Sequence, residues 1–594
     1  MQNMREPLAY FKHYLKPYWK GLLLIVVLTI ISTWAQIKAP VYLGKAMTSL
    51  SKYLIAYLNP LTRPQASLND FHHSLWLILF FYLLTSFTML LSSWLTSRVN
   101  ALSTNQMQRG LFGKLQRMTI KYFDQHQDGK ILSLFTSDLD NIFNAMNQAI
   151  FQLISQVILY VGVVWMMFSL NIKLALATVI STPFVVLIGY FIIRKARQYI
   201  ERQQDEISKL NGYINEQING EKIIITNGLQ EQSTREFDRL NENVQRATFK
   251  GQFYSGILFP LMQGFSLLNL AIVIAYGSWM VVNGEVGKAV GLGLIVTFVQ
   301  YSQQYFEPIT QITSMYSMLQ LAFTGAKRLM HVLKQPEEQV NTTGKQLQEL
   351  TTGVKLQDVH FGYDPQKEIL HGITLEVAKG KMIALVGPTG SGKTTVMNLL
   401  NRFYDVTGGK VLFDNTDVRD FELHSLRQNV GIVLQDSTLF SGTIAENIKF
   451  GFPEATDSQM IQAAKQAHIH DYIQSLPDKY QTRVDEENSI LSVGQKQLVS
   501  IARTLLTDPA FLILDEATSN VDMVTEEKIK QAMDNVIAGR TSFVIAHRLK
   551  TIVDADEIVV LKDGQIIEQG NHQQLLTEKG FYYDLYTNQM VFEA

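Results

Sequence analysis

Before position 325 the chain is dominated by long apolar runs, at about 21–47, 72–96, 141–169, 171–193, 257–282 and 287–320. GLLLIVVLTIISTW and LWLILFFYLLTSFTMLLSSWL are apolar on nearly every side. A helix in a water-soluble bundle would instead show one apolar stripe and a charged outer face. Each run supplies the roughly 20 residues that cross a 30 Å hydrocarbon layer as a helix. The pattern therefore predicts six membrane helices. After about position 354 it changes to short runs, MIALVG, VGIVLQ, FLILD and TSFVIAH, that alternate with helices. Such runs read as strands of a parallel sheet buried on both faces. Between the two regimes LKQPEEQVNTTGKQLQ is polar, with Pro336 and Gly344, and reads as a linker.

Charge adds orientation. The stretch after the second run carries Arg98, Arg109, Lys114, Arg117, Lys121 and Lys130, and that after the fourth carries Arg194, Lys195, Arg197, Arg202, Lys209 and Lys222. The links at 169–173 and 283–288 hold one lysine each. Lysine and arginine collect on the inner side, so the long loops are expected to be cytoplasmic, with both termini inside. These loops keep helical periodicity, so the spans are expected to continue well beyond the membrane. The opening MQNMREPLAYFKHYLKPYWK suits a helix lying on the inner surface, without a cleavable signal pattern. With 52 lysines and arginines against 53 acids, the net charge of -1 suggests no nucleic-acid partner. The chain has no cysteine, which excludes disulfides, thiolate metal sites and thiol catalysis.

The second half carries phosphate chemistry. GPTGSGKTT runs Gly387, Pro388, Thr389, Gly390, Ser391, Gly392, Lys393, Thr394, Thr395; it follows the strand MIALV and precedes an apolar helix, the setting a P-loop requires. Its glycines let backbone N–H groups wrap phosphates, Lys393 reaches the outer phosphates, and the Thr394 hydroxyl can ligate Mg2+. FLILDEATS ends a buried strand in Asp515 and Glu516. Asp515 suits the Mg2+ shell, and Glu516 suits a base that orients and deprotonates the attacking water of ATP hydrolysis.

The order GPTGSGKTT, Gln435 in VGIVLQDSTLF, ILSVGQ, FLILDEATS and His547 in FVIAHRL resembles the nucleotide-binding domain of ABC transporters. With six spans ahead of it, and with YFDQHQDGKILSLFTSDLDNI similar to the first intracellular loop of that family, the whole chain resembles an ABC exporter half-transporter. The fold expected is multidomain: an all-α six-helix transmembrane domain over 1–330, a linker over 331–353, and an α/β P-loop ATPase domain of the ABC type over 354–594. The resemblance implies that Tyr363 in VHFGYD stacks on adenine and that Gln435 contacts Mg2+ and the intracellular loops. It also implies that Asp522 lies in the D-loop and that His547 contacts the γ-phosphate. Catalysis then rests on Glu516, His547 and Gln435, and the metal on Thr394, Gln435 and Asp515.

In this family two nucleotide-binding domains meet head to tail, and the LSGGQ-type signature of one caps the nucleotide on the other. The resemblance thus makes Ser492, Gly494 and Gln495 nucleotide contacts across a dimer. Val493 departs from the pattern: a β-branched side chain restricts the backbone where it should approach a γ-phosphate. The preceding TRVDEEN departs too, adding Asp485, Glu486 and Glu487 beside Asn488. An intact P-loop, Asp515, Glu516 and His547 beside a weakened signature resemble the competent subunit of heterodimeric bacterial multidrug exporters. The partner of such a subunit carries a good signature and usually lacks the glutamate. A homodimeric lipid or drug exporter that tolerates the valine remains open, as does a nucleotide-gated membrane protein without coupled transport.

For the cargo, Gln300, Gln303, Gln304, Glu307 and Gln311 fall on one side of the sixth span. An intramembrane acid marks a functional site by default. With Tyr301 and Tyr305 as added aromatic surface, the stripe predicts an amphipathic cavity for drug-like, cationic molecules.

Overall fold

The structure is a computed structural model that describes residues 5–593 other than 59–65, 340, 342, 435–437, 486–489, 516–521 and 546–551. It divides into two compact units: Met1–Gln116 with Gln127–Gln335, and Arg117–His126 with Pro336–Ala594.

The first unit is helical. Its long elements are Trp19–Leu58, Asn69–Leu115, Phe151–Leu170, Thr182–Asn219, Gln230–Gly256, Leu258–Val282 and Lys288–Lys334. Trp76, Phe87, Leu90, Trp165 and Phe184 each leave 65% or more of their surface uncovered. Apolar residues turned outward in such number suit lipid, because a helix satisfies its own backbone and needs no water. Among the described residues five helical stretches are apolar and long enough to cross a membrane: Pro7–Leu58, Asn69–Leu115, Asp128–Leu170, Ile172–Asn219 and Gln230–Val282. The sixth expected span is helical over its whole length as Lys288–Lys334. Glutamines and Glu307 interrupt its apolar run, so by length and composition five qualify and the sixth does not. The helices Asn69–Leu115 and Thr182–Asn219 run far past the apolar segments that begin them.

The second unit is built on a six-stranded sheet in the order Gln565–Gly570, Glu557–Lys562, Met382–Val386, Thr541–Ile545, Phe511–Asp515, Val430–Val433. The first pair is antiparallel and the rest are parallel. Successive side chains of a strand point to opposite faces, and FLILD shows the result. Phe511 and Ile513 join a core with Leu356, Val411 and Phe413 of a second, antiparallel sheet. Leu512 and Leu514 join another with Leu498, Ile501 and Ala502 of the helix Val493–Thr507. Both faces are buried, so the strand has no polar alternation.

Candidate functional site

The parallel strands Met382–Val386, Thr541–Ile545, Phe511–Asp515 and Val430–Val433 end along one edge of the sheet, where ligands of such sheets bind. From the first of these the loop 387–392 leads into the helix Lys393–Leu400. Gly387 has φ +153°, and a Cβ there would lie 2.1 Å from the carbonyl oxygen of Leu561. Gly392 has φ +105°, with Leu370 Cδ2 at 2.6 Å from where a Cβ would stand. Only glycine fits either place.

Lys393 folds back over this loop, donating to the carbonyls of Gly387 at 2.7 Å and Pro388 at 3.1 Å. Burial pushes its pKa below the ordinary lysine value, and the nearby Asp515 carboxylate opposes that shift. Ser391 is buried and its hydroxyl oxygen has no hydrogen-bond partner among the described residues. A buried hydroxyl is costly unless something bonds it, and a phosphate oxygen is an acceptor that would supply that bond. The two threonines differ: Thr395 is buried, whereas Thr394 is exposed at the first turn of the helix. The exposed Thr394 hydroxyl and the Asp515 carboxylate are each oxygen donors of the kind Mg2+ takes.

Gln435, Glu516 and His547 lie outside the described residues. In the chain they follow the carboxyl ends of Val430–Val433, Phe511–Asp515 and Thr541–Ile545.

Tyr363 is tied to the P-loop helix by Asn398, whose amide donates to the phenol oxygen at 3.0 Å. Its ring packs edge-on against Phe361 and Tyr404, each with centroids 5.0 Å away. Sequence reasoning missed Tyr404 and its hydrogen-bond partner Asp124, because the two stand 280 positions apart; NRFYD directly after the P-loop helix is the one local cue.

ILSVGQ is the start of the helix Val493–Thr507. Ser492 caps it: its hydroxyl accepts from the Gln495 N–H at 3.3 Å, and the Gln495 side chain accepts from the Ser492 N–H at 2.9 Å. Ser492 and Val493 are exposed, Val493 by 63%, while Gly494 is buried. Among the described residues no hydrogen bond joins Ser492 to the P-loop of its own chain. Asp522 caps the helix Met523–Ile537 by accepting from the Thr525 N–H at 3.0 Å. Hydrogen bonds to Thr525 hold its carboxyl below the usual range.

The first unit contains a cavity of about 830 Å³. Gln303, Glu307 and Gln311, four residues apart on one helix face, line it, as does Gln263. Gln300 and Gln304 of the expected stripe do not line it, and the Gln304 side-chain oxygen is buried without a hydrogen-bond partner among the described residues. Tyr301 and Tyr305 correct the expectation more sharply. Both are fully buried: Tyr301 donates to the Ile37 carbonyl at 2.8 Å, and Tyr305 bonds Tyr160 at 3.1 Å and also Thr182. They point away from the glutamine face, and Tyr254, Phe259 and Phe306 supply the cavity's aromatic surface instead.

Two family profiles match the chain, "ABC transporter transmembrane region" over residues 22–309 and "ABC transporter" over 370–519. The chain is 37% identical over 572 residues to the uncharacterized ABC transporter ATP-binding protein YfiC of Bacillus subtilis (strain 168), covering 96% of this chain and 92% of the relative. It is 40% identical over 472 residues to the fatty acid ABC transporter ATP-binding/permease protein of Mycobacterium tuberculosis (strain CDC 1551 / Oshkosh), covering 80% of this chain and 74% of the relative. A solved structure of a bacterial Atm1-family ABC exporter with ATP bound matches at a TM-score of 0.75 and 28% identity, covering 97% of this chain and 98% of that one.

Proposed function

Because this chain belongs to the ABC transporters, as an exporter half-transporter with its transmembrane region and ATPase domain fused in one polypeptide, we propose that it is the catalytically competent subunit of a heterodimer. It is a multi-pass membrane protein whose ATP hydrolysis is coupled to export, and such exporters act as dimers. The observation that carries the heterodimer is Val493. Its side chain stands exposed beside Ser492, whose hydrogen bonds among the described residues stay within the helix start. In a head-to-tail pair that helix start caps the partner's nucleotide, and the valine keeps the backbone from closing on the γ-phosphate.

This chain's own ATP lies on the loop Gly387–Gly392 with adenine against Tyr363. Lys393 leaves its carbonyls for the outer phosphates, and Ser391 donates to a phosphate oxygen. Thr394, Asp515 and Gln435 would hold Mg2+, which when bound would neutralise charge on the outer phosphates. Glu516 takes the proton of the attacking water, and His547 bonds the γ-phosphate. The long loops, both termini and the ATPase domain are cytoplasmic, in keeping with their lysines and arginines.

The cargo is amphipathic. Aromatic rings and apolar side chains make most of the cavity wall, with Gln263, Gln303, Gln311 and Glu307 converging on it. The fatty acid transporter among the relatives is consistent with an amphipathic class. Affinity purification of this chain from its native membrane tests the reading: a stoichiometric second half-transporter is expected, with an LSGGQ-type signature and no glutamate where this chain has Glu516. A fully active homodimer overturns it.

A further inference from the structure

The short segment Arg117–His126 joins the long helix Asn69–Leu115 to the helices that begin at Asp128, yet it groups with the second unit. Within that unit its Asp124 accepts a hydrogen bond at 2.5 Å from the Tyr404 hydroxyl. The Tyr404 ring stands edge-on to Tyr363, at 85° with centroids 5.0 Å apart, and edge-on to Phe361 at 5.6 Å. Tyr363 is held a second time by Asn398 of the P-loop helix. Burial, and then the bond to Asp124, push the Tyr404 hydroxyl above the ordinary tyrosine value, so it remains a donor at neutral pH.

We propose that Tyr404 is a positioning residue with two separable tasks: its ring sets the Tyr363 face that receives adenine, and its hydroxyl ties that face to the loop 117–126. The inference rests on the reading of Tyr363 as the adenine platform. An edge-to-face pair adds to affinity beyond simple burial, so removing the ring loosens the platform, whereas removing only the hydroxyl spares it. Because coupling between two sites is reciprocal, nucleotide on Tyr363 orders the segment 117–126, and displacement of that segment perturbs the nucleotide.

The test uses the full chain purified with its native partner. It measures kcat and KM for ATP, together with hydrogen exchange of residues 117–126 with and without ATP and Mg2+. Tyr404→Ala is expected to raise KM roughly three- to tenfold with kcat little changed. Tyr404→Phe should leave KM within about twofold and abolish the ATP-dependent slowing of exchange in 117–126. Asp124→Leu, which offers no acceptor in that place, should reproduce Tyr404→Phe, and the double variant should be no worse than either. Should Tyr404→Ala fail to fold, the two isosteric variants decide. Unchanged KM in Tyr404→Ala, or retained exchange protection in Tyr404→Phe, overturns the inference. Tyr363→Ala is the control: if it alone raises KM, the adenine reading survives without Tyr404, and if it leaves KM unchanged, that reading falls and this inference falls with it.

Discussion

The Lys393 ammonium donates to the carbonyl of Gly387 at 2.7 Å, six residues back along its own loop. The lysine thus closes the cradle on itself, buried and held to two backbone oxygens. Outer phosphates offer full negative charge in place of those carbonyl dipoles, and charge-assisted bonds are the stronger.

Replacing this lysine separates binding from stability. Burial holds the Lys393 pKa below that of an unfolded lysine. The fold therefore carries a cost at every pH below the lowered value, and that cost fades as pH rises past it. Lys393→Met should keep or raise the nucleotide-free Tm at pH 7 while losing the ATP-induced rise in Tm. Hydrolysis should fall roughly 10²- to 10³-fold, as when one charge-stabilising donor is lost. Thermal melts with and without ATP, beside steady-state ATPase, check it; a preserved ATP-induced shift contradicts the role.

The two composite sites should respond unequally. Glu516→Gln is expected to leave ATP binding intact and cut hydrolysis by about 10²- to 10⁴-fold, the range for losing a general base. Ser492→Ala, made in this chain only, should cost much less if, as proposed, it caps the nucleotide of a partner with a slow site. Val493→Gly should not greatly speed turnover, since the proposed partner would still lack its base. Steady-state ATPase of the purified pair measures all three; equal severity of Ser492→Ala and Glu516→Gln removes the asymmetry.

Glu307→Gln tests the cavity. The carboxylate faces the cavity between Gln303 and Gln311, so its neutralisation should weaken export of cationic dyes more than of neutral ones of similar size. Dye efflux from vesicles supplied with ATP reports both classes. Equal loss for the two points to a folding role, and unchanged export of both rejects contact with substrate.

Asp414 predicts an acid limit. Burial alone would raise its pKa, but the N–H groups of Thr352, Thr351 and Gly353 and the Thr352 hydroxyl hold it down to about 2, from an ordinary 3.8. A carboxylate held low stabilises the fold fully above its unfolded pKa, and that contribution is lost as pH falls toward the folded one. Asp414→Asn should therefore destabilise the ATPase domain at neutral pH, by about 1 to 2 kcal/mol once partial exposure is allowed for. The gap in Tm between wild type and variant should close as pH falls from about 4 to about 2; a gap independent of pH would show that the charge is immaterial.

Much of this architecture was legible because its signals are local. A membrane helix announces itself by length and apolarity, and a P-loop by glycines at fixed spacing between a strand and a helix. The structure places GPTGSGKTT in that setting, with Gly387 and Gly392 at positive φ. The sixth span was harder to classify, since Gln303 and Glu307 face a cavity and dilute the apolar signal of a helix that is nonetheless continuous.

Sequence alone determined the two halves, the order of the nucleotide motifs and the departure at Val493, because each depends on residues near one another in the chain. Only the tertiary structure decided which way side chains turn. Helical spacing put Tyr301 and Tyr305 on the same short stretch as the glutamines, yet packing against Ile37, Tyr160 and Thr182 buries them. It likewise brought Tyr404 to Asp124, a contact between positions 280 apart. Periodicity specifies faces of one element; which face meets which neighbour depends on burial and hydrogen bonding summed over distant segments, and no local pattern encodes that sum.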